Sequence, residues 1–526
     1  MAGSPHRSMR AAVRVCFISI AAWFVTVYSV AGDPGLAWAA GASIEATIAG
    51  VKPGAEAYIT SGMKAFDTPG LAIAIIANDR IVYSKGFGVR SKAGGAPVDT
   101  RTVFQIGSAT KGFLSATMAL MVDRGKFKWD DRVVDLDPEF QLKDPWVTRE
   151  FRVFDLLAQR SGLPPYANDA LGIFGLSRTE LIRSLRYVEP ISSFRSTFTY
   201  TNVTHILAGR IVAKVDGAKG WNTVLQKEIL DPLGMKETTY SAEAIEAAPD
   251  HASGYLWTPD GTSEVPFTQI FPYDFDGAGD INSTVEDASR WLRFQLGNGA
   301  FEGHRIVSAE NLAVTHTPKV ALSDKVSYAM GWIVQQTPNG TIIWHNGGTS
   351  AFGSYFGMVP EKGVGVVVMT NEANIGFPDA VGRWVLDRIL DNPNVDPAAN
   401  ALKNAKAAYA KSVKLFAKPD NPRPFPPLAG LAGNFSNPGI GKANLALDGD
   451  ALVLTLRAGG AKLRLAPWDG SIFTAKLTPL DKFAAVAEDL GPMPNAFVQF
   501  QMDKEAELNV LRLSFDDGQA YDFTRE

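Results

Sequence analysis

Residues 71–77 are continuously apolar, Asn78-Asp79 marks a turn, and Ile81, Val82 and Tyr83 resume an extended pattern, which predicts a β-hairpin entering a buried sheet. The same kind of pattern returns far downstream. Residues 328–335, 341–345, 354–359 and 364–370 are four short strand-like runs with Gly, Pro and Asn between them. Between these two blocks the apolar residues follow a helical period, over 110–124 ending before Gly125, roughly 203–215, and 285–296. Strands from both ends of a domain around a mainly helical middle predict an α+β fold, an antiparallel sheet flanked by helices with an all-α insertion.

After a last helix near 380–390, an Ala/Lys-rich helical stretch over 397–418 leads into Pro419, Pro422, Pro424, Pro426 and Pro427, which reads as a linker. Beyond it the period drops to two. Leu445 and Leu447, then Leu452, Leu454 and Leu456, then Leu463 and Leu465 alternate between turns at Asp448-Gly449 and Gly459-Gly460. This predicts an all-β module of about a hundred residues, a small barrel or sandwich. At the other end, Arg7, Arg10 and Arg14 precede an apolar run over 15–31, and Ala37-Trp38-Ala39 offers a small-residue cleavage site. The expected organisation is a signal peptide over 1–39, a main domain over 40–395, a helical and Pro-rich linker over 396–427 and the all-β domain over 428–526. An uncleaved anchor is the alternative for the first segment, whose apolar run is near the lower length for a membrane span.

Composition narrows the function classes. With 46% hydrophobic and 20% charged residues the chain can build a large core, and its net charge of −4 comes from intermixed acids and bases with no basic stripe for a nucleic-acid backbone. Cys16 is the only cysteine and would leave with the signal. The mature chain then has no disulfide in an oxidising compartment, where a periplasmic or secreted protein would sit, so its stability must come from core size. The histidines His205, His251, His304, His316 and His345 lack paired metal-ligand spacing, and no H-E-x-x-H or G-x-S-x-G occurs. Gly277-Ala278-Gly279 starts like a dinucleotide loop, but Asn282 stands where the last glycine belongs. Neither metal nor cofactor is implied, and the expected partner is a small molecule or peptide. Stable membrane insertion is not expected after signal cleavage, and a homo-oligomer stays open.

The chemistry concentrates in three short patterns. In Gly107-Ser108-Ala109-Thr110-Lys111 a serine at the start of a predicted helix has a lysine one turn later on the same face, so the amine can reach the hydroxyl. A serine becomes nucleophilic only when a base takes its proton, and a lysine with a pKa depressed by burial can do so. Tyr200-Thr201-Asn202 opens another helix. Its tyrosine can pass a proton to a leaving group, while the asparagine amide can hold the lysine and a substrate carbonyl. His345-Asn346-Gly347-Gly348 ends a strand-like run, where glycines allow close backbone approach and the N–H groups of Ser108 and Gly348 can form an oxyanion hole. Each pattern has an ordinary alternative: a chance S-x-x-K, with Ser115 or Ser283 equally placed near helix starts, a helix-opening turn, and a glycine-rich hairpin.

Taken in this order, the three patterns resemble the penicillin-recognising serine hydrolases of the β-lactamase/penicillin-binding-protein superfamily. That group includes class C β-lactamases, D,D-peptidases, peptidases of the S12 type, D-aminopeptidases and related esterases. The resemblance spans roughly residues 55–392. It extends to 156–163, similar to the family's L-L-x-H-x-S-G-L stretch, and to 277–287, similar to its glycine-rich approach to a helix cap; both are read as scaffold. The C-terminal module looks like the lipocalin-like barrel appended to some of these hydrolases. Three departures matter. His345 stands where many relatives carry the lysine of K-T-G, Gln159 replaces a common histidine, and Thr201 replaces a more frequent serine.

The resemblance implies an exported hydrolase that cleaves ester or amide bonds, including peptides with D-residues, through a Ser108 acyl-enzyme. Lys111 and Tyr200 would move protons, while Asn202, His345, Asn346 and Gly347 orient the substrate. Trp257, Phe271, Tyr273 and Phe275 are candidates for an acyl pocket, with core packing the expected role for most. A neutral imidazole at His345 in place of a cation favours esterase, amidase or aminopeptidase relatives over a β-lactamase or D,D-carboxypeptidase. The rival of another class is a catalytically silent binding or sensor protein on the same fold.

Overall fold

The computed structural model describes residues 43–393, 396–502, 508–515 and 518–526. The expected signal peptide lies outside them. Helix α1 (Ile44–Phe66), capped by the Ser43 hydroxyl, leads into strands β1 (Gly70–Ala77) and β2 (Arg80–Gly88). Helices α2 (Thr110–Asp123), α3 (Val203–Asp216) and α4 (Val285–Leu296) belong to the middle of the chain. The sheet is then completed by β3 (Val320–Ala321), β4 (Val326–Tyr328), β5 (Ile333–Thr337), β6 (Gly340–Gly348), β7 (Gly353–Val359) and β8 (Val364–Thr370). The eight strands lie in the order β2-β1-β8-β7-β6-β5-β4-β3, every pair antiparallel.

The continuous apolar character of 71–77 follows from burial on both faces. Leu71, Ile73, Ile75 and Ala77 pack with α1 and helix α5 (Phe377–Ile389), while Ala72, Ala74 and Ile76 join the core formed with the helical middle. In that second core Phe113 of α2 stacks on Trp291 of α4 with ring centroids 3.8 Å apart. The cap of α4 is the one its sequence suggested, with the Thr284 hydroxyl accepting from the Asp287 N–H at 3.1 Å.

One expected strand is divided. The run 328–335 breaks into β4 and β5, because the chain turns at Ala329-Met330-Gly331-Trp332, with Gly331 at φ +76°. A Cβ there would lie 2.6 Å from the Lys111 carbonyl oxygen, so the turn presses on α2 at the level of its lysine. The long helix α1 was not visible as a separate element in the apolar pattern. It covers the sheet from the same side as α5.

After helix α6 (Pro397–Phe416), the C-terminal module closes into an eight-stranded antiparallel barrel. Its alternation puts Leu445, Leu452, Leu454, Leu456, Leu463 and Leu465 inside, whereas Leu447, near the strand end, is exposed. The barrel packs on the helical side of the main domain, where Phe515 stacks on Phe174 with centroids 5.3 Å apart.

Packing of α5 on the sheet leaves no spare volume at Gly382, where a Cβ would lie 2.1 Å from the Tyr355 ring. Gly382→Ala is expected to destabilise the protein by about 1–3 kcal/mol through overpacking. A thermal unfolding scan beside the parent chain checks it; an unchanged midpoint would mean that Tyr355 moves aside freely.

Candidate active site

The turn before α2 places Ser108, half-buried, between the end of β6 in the sheet and the helical middle. It is held from several directions. The Ile106 N–H donates to the Ile281 carbonyl at 3.0 Å, and its own carbonyl accepts from the Ser354 hydroxyl of β7 at 2.7 Å. On the sheet side, a Cβ at Gly347 would lie 1.7 Å from the Ile106 oxygen, and one at Gly107 would lie 2.6 Å from the Gly348 nitrogen. Only glycine on both sides lets the end of β6 lie against the serine turn. The Ser108 and Gly348 backbones are thereby neighbours, as two donors to one oxyanion must be.

One turn along α2, Lys111 is fully buried. Its Nζ lies 3.0 Å from Ser108 Oγ, 2.7 Å from Asn202 Oδ1 and 2.8 Å from the Ala278 carbonyl oxygen. Burial brings its pKa down from the ordinary lysine value to about 7, against the opposing pull of Asp169 and Asp280. A neutral amine is therefore abundant near neutral pH, beside a hydroxyl whose proton it can accept.

Tyr200 approaches the same amine, with Nζ 4.7 Å from the ring centroid. Burial, then the neighbouring Tyr328, raises its pKa well above the ordinary phenol value, with the Ser108 hydroxyl acting in the other direction. Tyr200 thus keeps its proton where Lys111 has lost one. Of the two, the lysine is the competent base and the tyrosine the competent acid.

Asn202 divides its amide between two residues. Its Oδ1 accepts from Lys111, and its Nδ2 donates to Asp169 Oδ2 at 2.6 Å. The third pattern splits by strand alternation. His345 faces the cleft side, with its ring centroid 6.4 Å from that of Tyr200, and both of its nitrogens are engaged, Nε2 with the Tyr328 hydroxyl at 3.1 Å and Nδ1 with the Asn346 carbonyl at 2.5 Å. Burial and the nearby Lys111 bring its pKa down to about 3, so it is a neutral ring. Asn346 points to the opposite face, where its Nδ2 donates to Asp379 Oδ1 of α5 at 2.7 Å. The structure therefore brings Ser108, Lys111, Tyr200, Asn202, His345, Gly347 and Gly348 together and carries the Asn346 side chain away, because successive residues of a strand face opposite sides.

Several participants carried no motif. Asp169 stands in no recognisable pattern. The Ala278 carbonyl belongs to the 277–287 stretch read as scaffold, whose Gly277 N–H is held by Asp280 Oδ1 at 2.8 Å. Tyr328 ends a strand. Gln159, which stands where relatives commonly carry a histidine, holds the second pattern in place, since its Oε1 accepts from the Thr201 N–H at 2.7 Å and its carbonyl from the Thr199 N–H at 2.9 Å. The aromatic candidates mostly serve the core. Tyr273 bonds Gln105 and Asn282, Phe275 packs against Gly172, and Trp257 meets Tyr409 of α6. Among the described residues no group of three or more His, Cys, Asp or Glu could hold a metal ion.

Comparison with known proteins places the chain in a family. The Beta-lactamase family matches residues 55–391. The chain belongs to that family. A second match, to a domain of unknown function designated DUF3471, covers 417–525. Relatives include the Unguisins hydrolase ungD of Aspergillus violaceofuscus, 27% identical over 439 residues, covering 75% of this chain and 76% of that protein. Penicillin-binding protein 4 of Amycolatopsis lactamdurans is 26% identical over 385 residues, 70% of this chain and 94% of its own. The octameric penicillin-binding protein homologue from Pyrococcus abyssi shares the fold, with a TM-score of 0.58 at 22% identity over 90% of this chain and 100% of that one. This β-lactamase-family protein is a serine hydrolase.

If Lys111 is the base, the rate of covalent fluorophosphonate labelling should track its neutral form. It is expected to rise about tenfold per pH unit below pH 7 and to level off above it, and to be lost in Lys111→Met. A rise that continues unbroken to pH 9 would show an ordinary lysine instead.

Proposed function

We propose that the protein hydrolyses esters or amides, peptides with D-residues among them, through an acyl-enzyme on Ser108. The observation that carries this reading is the buried Lys111 amine 3.0 Å from the Ser108 hydroxyl. In the first step Ser108 Oγ gives its proton to Lys111 and bonds to the substrate carbonyl carbon, and the oxyanion is received by the Ser108 and Gly348 N–H groups. Collapse breaks the bond to the leaving group, which takes a proton from Tyr200, itself resupplied by Lys111. Water then attacks the acyl carbon, gives up its proton along the same route and releases the acid, restoring the free serine.

Substrate class follows from what the β6 strand offers. Relatives with a lysine at the His345 position have a cation for a substrate carboxylate, whereas His345 here is neutral and tied to Tyr328 and its own strand. This favours neutral esters, amides and aminopeptidase-type substrates over D,D-carboxypeptidase or β-lactam substrates. The N-terminal pattern supports export, with cleavage near Ala39 and a periplasmic or secreted location. Among the described residues no helix is long and apolar enough to cross a membrane. An assembly of several copies is compatible with the octameric neighbour.

The test uses protein beginning at Ala40, beside Ser108→Ala, against short-chain nitrophenyl esters, D- and L-aminoacyl anilides and a chromogenic cephalosporin. Ester or anilide turnover is expected, falling at least about a thousandfold in the variant. Cephalosporin hydrolysis faster than ester turnover would refute the weight placed on His345, and turnover undiminished in Ser108→Ala would refute the nucleophile.

A further inference from the structure

The segment Pro165 to Asp169 touches the residues around Ser108 through two hydrogen bonds and a ring contact. The Tyr166 N–H donates to the Tyr200 carbonyl at 2.7 Å, and Asp169 accepts from Asn202, which in turn holds Lys111. The Tyr166 ring also lies against the Tyr200 ring, with centroids 5.6 Å apart. Two residues of this turn, Tyr166 at φ +56° and Asn168 at φ +64°, are left-handed, a conformation that asparagine visits readily but that a bulky tyrosine avoids and keeps only when its surroundings enforce it.

The enforcing contacts come from the barrel. Gln519, just before the last strand (Ala520–Arg525), is buried against the turn. Its Oε1 accepts from the Asn168 N–H at 3.0 Å, while its Nε2 donates to the Tyr166 carbonyl at 2.7 Å and to the Pro165 carbonyl at 3.3 Å. Tyr521 adds a bond from its hydroxyl to Asn168 Oδ1 at 2.8 Å, and the Asn168 amide is anchored on the Ser184 hydroxyl at 2.6 Å. The carboxamide serves here as acceptor and donor at once. A carboxylate would lose the donors and an ammonium the acceptor.

We propose that Gln519 is a positioning residue for the Ser108 centre: by bridging Asn168 and Tyr166 across a left-handed turn, the barrel fixes Asp169 and, through Asn202, Lys111. The inference rests on the reading of Ser108 as nucleophile with Lys111 as its base. It makes the barrel part of the catalytic machinery, acting on the chemical step and leaving substrate capture to the main domain.

The experiment compares full-length protein with Gln519→Leu, which keeps the bulk and removes the carboxamide's hydrogen bonds, those to Asn168, Tyr166, Pro165 and the Tyr521 hydroxyl among them, and with Gln519→Glu, which keeps only the acceptor. Nitrophenyl ester kinetics and amide hydrogen exchange over 166–173 are read side by side. Gln519→Leu is expected to lower kcat about tenfold or more with KM within about threefold, and to exchange faster over that segment; Gln519→Glu should fall between it and the parent. An unchanged kcat, unchanged exchange, or a loss confined to KM overturns the proposal. Should Gln519→Leu fail to fold, Tyr521→Phe carries the same test, expected to give a smaller fall in kcat, and no fall overturns it. Failure of the underlying reading looks different: the parent is inert or Ser108→Ala stays active, whereas failure of this inference alone leaves a Ser108-dependent parent and an equally fast Gln519→Leu.

Discussion

A lysine amine out of contact with water is unstable as an ion unless its surroundings replace the lost hydration, and in this protein they replace only part of it. Lys111 has three oxygen neighbours, from Ser108, Asn202 and Ala278, and two nearby carboxyls, yet burial still dominates and brings its pKa down to about 7, so that a large share of it is neutral at neutral pH. Much of the main domain is arranged to keep that balance. α2 is buried over almost its whole length, the turn at Gly331 seals one side of the lysine, and the loop through Ala278 seals another. His205 and His345, both buried beside it, are held neutral by the same dryness, so no second positive charge stands next to the amine.

Dryness would be useless without an opening, and the sheet supplies it. The end of β6 has no side chains at Gly347 and Gly348, so it presents bare backbone to the serine turn. His345, two residues earlier on the same face, is then fixed by a geometric demand: any side chain there lies beside Tyr200 and Lys111. A cation in that place would oppose protonation of the lysine, and a neutral ring tied to Tyr328 does so far less.

What could be read from the sequence follows a physical division. The helices opening at Thr110, Val203 and Val285 and the alternating leucines of the barrel were legible as periodic patterns, and the hairpin at 71–83 as a short apolar run bounded by a turn. The contact between Ser108 and Lys111 was legible because the two are one helical turn apart. The turn that divides 328–335 was not, since Gly331 is required by contact with α2, two hundred residues earlier in the chain. Asn346 shows the converse difficulty. Its place in a motif suggested the site, but the pleat of β6 turns it toward Asp379. Asp169 and Gln159 act through tertiary hydrogen bonds that leave no spacing rule behind them.

The barrel meets the hydrolase domain on both walls of the cleft. On the helical wall its contact is polar and directional, through Gln519 and Tyr521 to a left-handed turn. On the sheet wall Asp489, ending a short barrel helix (Ala484–Asp489), is buried against the hairpin that follows β6, where Ser350 meets its carboxyl and Thr349, Ala351 and Phe352 line the same small cavity. Burial raises the pKa of that carboxyl to about 7, with the Ser350 side chain acting in the other direction. A module that only followed the hydrolase along the chain would have no reason to bury a carboxyl there. The barrel thus touches both the turn that carries Asp169 and the hairpin that follows β6, and on the proposed reading, with Ser108 as nucleophile and the end of β6 as oxyanion strand, the two must be held at one separation to act on a single carbonyl.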